Sequence, residues 1–137
     1  MITNRDILSA LTAYLERYPE EAAELSEPAR LLSGGANCAS RRTFSMHATA
    51  GALLTRGDTI MLVDHRAYGI VLQPGGHLEP SDVTLSGAAK RELVEETGID
   101  PGVVSCVSQV PAYVEFGMVP ARPSKDEPAH FHLVLSA

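Results

Sequence analysis

Glu92, Glu95 and Glu96 stand at spacing i, i+3 and i+4, which puts three carboxylates on one face if the segment is helical. The residues around them favour a helix. Leu85, Ala89 and Leu93 recur every four positions and form an apolar face. Gly98 suits a left-handed C-cap, and Ile99 supplies the apolar residue beyond it. The pattern predicts a helix over 84–97. Carboxylates this close repel each other, so the face is either left in water or built around a cation.

Two neighbours favour the cation over a merely solvated acidic face. The Pro74-Gly75-Gly76 loop precedes the helix, and glycine lets backbone carbonyls approach an ion closely. Arg91 sits beside Glu92 and supplies a fixed positive partner. Oxygen donors with room for water suit Mg²⁺ or Mn²⁺. Such an ion neutralises phosphate charge and lowers the pKa of bound water.

Charge placement agrees. The 137 residues carry a formal charge of −6. Residues 1–33 hold six acids and three bases, and residues 75–99 hold five acids and two bases, so each segment contributes −3. The other residues balance at six of each sign. An acidic chain without a long basic run argues against a nucleic-acid polymer as partner; Arg41-Arg42 is too short a patch. No apolar run approaches the ~20 residues of a membrane span. The N-terminus is polar within four residues, unlike a signal peptide. Cys38 and Cys106 are far apart in sequence and suggest no disulfide framework, so a cytoplasmic location is expected.

Along the chain, Ile7, Leu8, Leu11, Leu15 and Tyr18 predict an amphipathic helix over 3–18, with Thr3 and Asp6 as a capping pair. Glu20 to Leu25 reads as a short second helix, Pro28 to Leu32 as a further turn, and Gly34-Gly35 as the end. Residues 1–40 are read as a helical arm and 41–137 as the main domain. His47–Leu54 and Thr59–Asp64 read as a hairpin about Gly57-Asp58. Gly69–Leu72 reads as a buried strand, Val103–Tyr113 as a strand broken near Pro111, residues 120–128 as a loop and Phe131–Leu135 as a final strand. Strands before and after one helix give the class α+β, not a doubly wound fold.

The segment from Gly76 to Ile99 resembles the Nudix box, G-x5-E-x7-R-E-U-x-E-E-x-G-U with U aliphatic. Gly76 fills the first position, and Arg91, Glu92, Leu93, Glu95, Glu96, Gly98 and Ile99 fill the second half without a gap. The resemblance extends over about residues 45–137; Arg41-Arg42-Thr43-Phe44 and His47 are similar to N-terminal extensions of some bacterial, MutT-like members. Three details depart from the box. Asp82 replaces its first glutamate, eight residues rather than seven separate Asp82 from Arg91, and Ser81 stands where glycine is frequent. One added loop residue is readily absorbed.

The resemblance implies a Nudix-type α/β/α sandwich with a mixed sheet, preceded by the helical arm. It implies a pyrophosphohydrolase acting on a small nucleoside diphosphate derivative with Mg²⁺ or Mn²⁺. Glu92, Glu95 and Glu96 would bind metal with a carbonyl of Gly75 or Gly76, Arg91 would orient Glu92, and Glu92 or Glu96 would take the proton of the attacking water. His77 and Arg66 are candidate phosphate contacts. The family usually continues into another helix after the last strand, whereas this sequence stops at Ala137. Either the sequence is a shortened product, or the arm or a second copy covers that sheet face, and a homodimer is one such arrangement. The competing reading is a catalytically impaired Nudix-fold binding or regulatory module. His130 and His132 form an i, i+2 pair that could hold zinc, but no third ligand is evident in sequence. Tyr113 and Phe116 are candidates to stack on a base, or core residues.

Overall fold

Five consecutive residues, His47–Gly51, are buried at every position, and the sheet is arranged around them. The computed structural model describes residues 1–65 and 69–137. Strand β1 (His47–Gly51) is flanked by two others in a four-stranded sheet of order β6-β1-β8-β7. Here β6 is Gly75–His77, β7 Tyr113–Val119 and β8 His130–Ser136. β1 runs parallel to β8, while β1–β6 and β7–β8 are antiparallel, so the sheet is mixed.

Helix α1 (Asn4–Arg17) starts where its capping pair predicts. Thr3 Oγ1 accepts from the Asp6 N–H at 3.2 Å, and the Asp6 carboxylate accepts from the Thr3 N–H at 2.8 Å. The segment expected to be helical at Glu20–Leu25 instead makes one 3-10 turn, Pro19–Glu21, and α2 forms later, at Ser26–Leu32. Burial decides the difference. α2 buries Pro28 and Leu32, whereas the acidic stretch before it buries only Leu25.

The Gly57-Asp58 turn is present, with Gly57 at φ +60°, but it joins only Thr55–Arg56 (β2) to Thr59–Ile60 (β3). The expected hairpin partner, β1, pairs with β6 and β8 instead. Its sequence His-Ala-Thr-Ala-Gly fits a slot closed on both sides, and an exposed two-stranded hairpin does not supply one. Val63–His65 (β4) and Ile70–Leu72 (β5) form a separate antiparallel pair. β5 is not the buried strand the sequence suggests: Ile70 is 52% and Val71 55% exposed, because this pair lies outside the main sheet. The strand expected at Val103–Tyr113 begins only at Tyr113. Pro111 has no N–H for a ladder, and the Ser108 hydroxyl takes the Val110 N–H at 3.1 Å, turning the chain.

Register assigns the faces. Ala48 lies opposite Leu133, Ala50 opposite Leu135 and Gly76, and Val114 opposite Leu135, so these share one side. They join Ala88, Ala89 and Leu93 of α3 (Leu85–Thr97) in the apolar core, together with Ile7, Leu11 and Tyr14 of α1. The other side carries His47 opposite His132, and Thr49 opposite His77. The architecture is thus α+β, a mixed sheet with helices. Among the described residues, no helix is long and apolar enough to cross a membrane.

Because α1 shares the core, Leu11→Ala should cost about 3 kcal/mol in the stability of the whole chain. Urea unfolding followed by circular dichroism and by tyrosine fluorescence should show one shared, shifted transition. Two separate transitions would mean that α1 folds independently.

Candidate active site

The site lies where β6 passes α3. Thr84 caps α3, its hydroxyl accepting from the Gly87 N–H at 3.0 Å, and Gly98 ends it in the left-handed region at φ +71°. These caps fix the ends of the helix, and burial of Ala88, Ala89 and Leu93 in the core sets which face carries Arg91, Glu92 and Glu95.

Arg91 organises the surroundings. Its Nε and Nη2 donate to the two oxygens of Asp82, each at 2.9 Å. Nη2 also donates to the His77 carbonyl at 3.0 Å. Nη1 donates to Glu92 Oε1 at 2.9 Å and to Glu95 Oε2 at 3.2 Å. A guanidinium has five N–H groups, and each has an acceptor here. Glu79 adds an ion pair at 3.4 Å. The Arg91 side chain is only 20% exposed and that of Asp82 only 6%. Asp82 thus grips Arg91 with both carboxylate oxygens, although its side chain is shorter than the glutamate it replaces in the motif. It also accepts from the Glu79 N–H at 2.8 Å, which closes the preceding turn.

The electrostatics follow from this geometry. The Arg91 guanidinium holds the Asp82 carboxyl below the usual aspartate range, and Asp82 in turn raises the Arg91 pKa. Burial pushes the Glu92 carboxyl up; Arg91 opposes that shift, and Glu95 and Glu96 reinforce it. Glu92 is therefore a partly buried carboxylate with negative neighbours and one shared cation. Glu95 and Glu96 are exposed on the same helix.

Glycine is required where strand and helix meet. A Cβ on Gly76 would fall 2.6 Å from the Glu92 carboxylate, and one on Gly75 would fall 2.7 Å from the Ala50 carbonyl oxygen. Gly76 thus leaves open the space in front of Glu92. A cleft of about 440 Å³ opens there, lined by Gly76, His77, Glu79, Glu92 and Arg41 among others. All-oxygen donors around an open space fit a hard divalent cation.

The structure therefore brings Gly76, Arg91, Glu92 and Glu95 together, with Glu96 on the next position of the helix. Gly75 is tied to packing against β1. His77 joins through its carbonyl; its imidazole lies on the other side of the sheet, 5.1 Å from the His47 ring between centroids, and burial there pushes its pKa down to about 4. Arg66 lies outside the described residues, as does the His65 side chain. Phe116 stacks on Phe131 at 4.6 Å, a packing role, while Tyr113 is exposed. Two residues were not singled out by sequence for these places. Arg41 lines the cleft and faces Glu127 at 3.8 Å, and His47 meets the His130–His132 pair. Neither had a local signal, since both meetings depend on long-range pairing.

The fold is α+β, with a carboxylate-bearing helix packed against a glycine strand. Over residues 45–137 the chain matches the family described as NUDIX domain, and it belongs to that family. Members are in general hydrolases of small nucleoside diphosphate derivatives that use divalent metals. No match is found among curated proteins.

The two glycines should respond differently to alanine. Gly75→Ala strikes backbone and should cost about 1–3 kcal/mol. Gly76→Ala strikes only the end of a flexible side chain, so stability should hold within about 1 kcal/mol while Mn²⁺ affinity falls as Glu92 is displaced. Parallel unfolding and Mn²⁺ titrations separate the two effects.

Asp82→Asn should cost about 2 kcal/mol at pH 7, since it weakens a charge-assisted pair. The folded-state pKa of Asp82 lies below the reference 3.8, so its stabilisation is present above that pH and is lost as pH falls through the folded value. The gap between wild type and Asp82→Asn should narrow below about pH 4 in denaturation curves.

Proposed function

We propose that the chain hydrolyses the diphosphate linkage of a nucleoside diphosphate joined to another moiety, in a divalent-metal-dependent reaction. The observation that carries this reading is the Arg91-centred array, which holds Glu92 beside Glu95 at the mouth of a cleft. In this reading Glu92, Glu95 and Glu96 hold Mg²⁺ or Mn²⁺, with a backbone carbonyl of Gly75 or Gly76. When bound, the ion supplies charge neutralisation for the diphosphate and a more acidic water.

Arg91 is a positioning residue: its bonds to Asp82 and the His77 carbonyl keep it in place to orient Glu92. Glu92 or Glu96 accepts the proton of the attacking water. Arg41, which lines the cleft, contacts the substrate's phosphates in this reading, and Arg66 is a further candidate from its sequence alone. His77 sets one wall of the cleft. Residues 1–40 act as an arm attached to a hydrolase domain over 41–137.

The test is phosphate release from nucleotides, sugar nucleotides and dinucleoside polyphosphates in Mg²⁺, with a coupled phosphatase. Turnover of at least one class is expected. It should fall by at least about 100-fold in the Glu95→Gln, Glu96→Gln double variant, more than the loss typical of a residue that only supports a metal ligand. Undiminished activity in that variant would remove the assignment. Saturable nucleotide binding without turnover in Mg²⁺ would mark a binding module instead.

A further inference from the structure

The side of the sheet facing away from α3 carries a second group of ligands. His47 and His132 are direct partners across the parallel β1–β8 pair, and His130 lies two residues before His132 on the same face. One ligand nitrogen from each of the three lies within 4.8 Å of the others. The rings are in contact, with centroids 4.8 Å apart for His47–His130 and 4.6 Å for His47–His132.

Hydrogen bonding fixes how these rings present themselves. His47 Nδ1 donates to the Thr43 carbonyl at 3.1 Å, and His130 Nδ1 donates to the Pro128 carbonyl at 2.7 Å. In a neutral imidazole the other nitrogen, Nε2, then carries a lone pair. A backbone carbonyl orienting the far nitrogen is the usual support of a metal-ligating histidine. His130 Nε2 stands 2.9 Å from His132 Nε2, so in the metal-free protein one proton is shared between those two. His47 Nε2 is left without any partner although His47 is 0% exposed. A buried polar atom with no partner costs stability, and a ligand here would remove that cost.

We propose that His47, His130 and His132 form a binding site for a transition-metal dication of the Zn²⁺ type, separate from the glutamate cluster across the sheet. Neutral imidazoles suit zinc, cobalt or nickel and do not suit Mg²⁺. Zinc–nitrogen bonds of about 2.0–2.1 Å place tetrahedral ligand atoms about 3.4 Å apart. The His130–His132 pair therefore opens by about half an ångström and His47 closes by up to about 1.4 Å, which side-chain rotation can supply. On binding, the His132 proton moves from Nε2 to Nδ1, which frees the Nε2 lone pair and keeps the ring neutral. Burial already favours the neutral rings: it lowers the His47 pKa and pushes that of His132 down to about 3. The site would clamp β1 to β8, the parallel pair at the centre of the sheet.

Co²⁺ titration of tag-free, full-length protein tests this. The wild type should develop the intense visible absorption of a four-coordinate cobalt site, and Zn²⁺ should displace it and raise Tm. The Glu95→Gln, Glu96→Gln protein should keep that absorption. His132→Asn should lose it and the Zn²⁺-dependent rise in Tm. Asparagine can still donate to His130, so the fold is retained, and circular dichroism checks this. If His132→Asn does not fold, His47→Gln takes its place. Absence of the absorption in the wild type, or its persistence in the folded histidine variant, overturns the proposal. So does its loss in the glutamate variant alone.

Discussion

One guanidinium holds the site together. Arg91 uses all its N–H groups on Asp82, Glu92, Glu95 and the His77 carbonyl, and so ties helix α3 to the turn before it and to strand β6. Without this cation, four carboxylates (Glu79, Asp82, Glu92 and Glu95) would face each other in a partly dry space, where repulsion is weakly screened. Lysine would not replace it, since a single ammonium cannot match this planar, forked set of acceptors. The pairing is intramolecular and largely buried, so it costs little side-chain entropy beyond folding itself.

The close approach of β6 to α3 is the second constraint, and it depends on absent atoms. Gly75 lets β6 lie against β1, and Gly76 keeps the space before Glu92 free. The same sheet separates two chemistries. On the α3 side are oxygen donors and an arginine; on the other side are imidazoles. Hard and borderline cations would thus be sorted by face.

Local features were legible in sequence because their causes are local. The Thr3–Asp6 capping pair, the helix from Leu85 to Thr97 and its Gly98 terminator follow from spacing alone, and the glutamate face with Arg91 could be placed before any fold was known. Asp82 was legible as a substitute, but its two-pronged grip on Arg91 was not. What could not be read was pairing at long range. His-Ala-Thr-Ala-Gly has strand character, yet nothing nearby says that its neighbours are residues 75–77 and 130–136. The hairpin assigned to β1 fails for this reason, whereas β7 starts late for a local one, the Ser108 turn and Pro111 before it. The third imidazole was missed with them, since His47 meets His132 only through the parallel pair.

The Arg91-ordered glutamates of α3 are proposed to hold a hard divalent cation. Anomalous diffraction from crystals soaked in Mn²⁺ measures this directly. A manganese peak is expected within bonding distance of oxygens from Glu92, Glu95 or Glu96, next to Gly76. A map with no peak there, while Mn²⁺ is seen bound elsewhere on the chain, would contradict it.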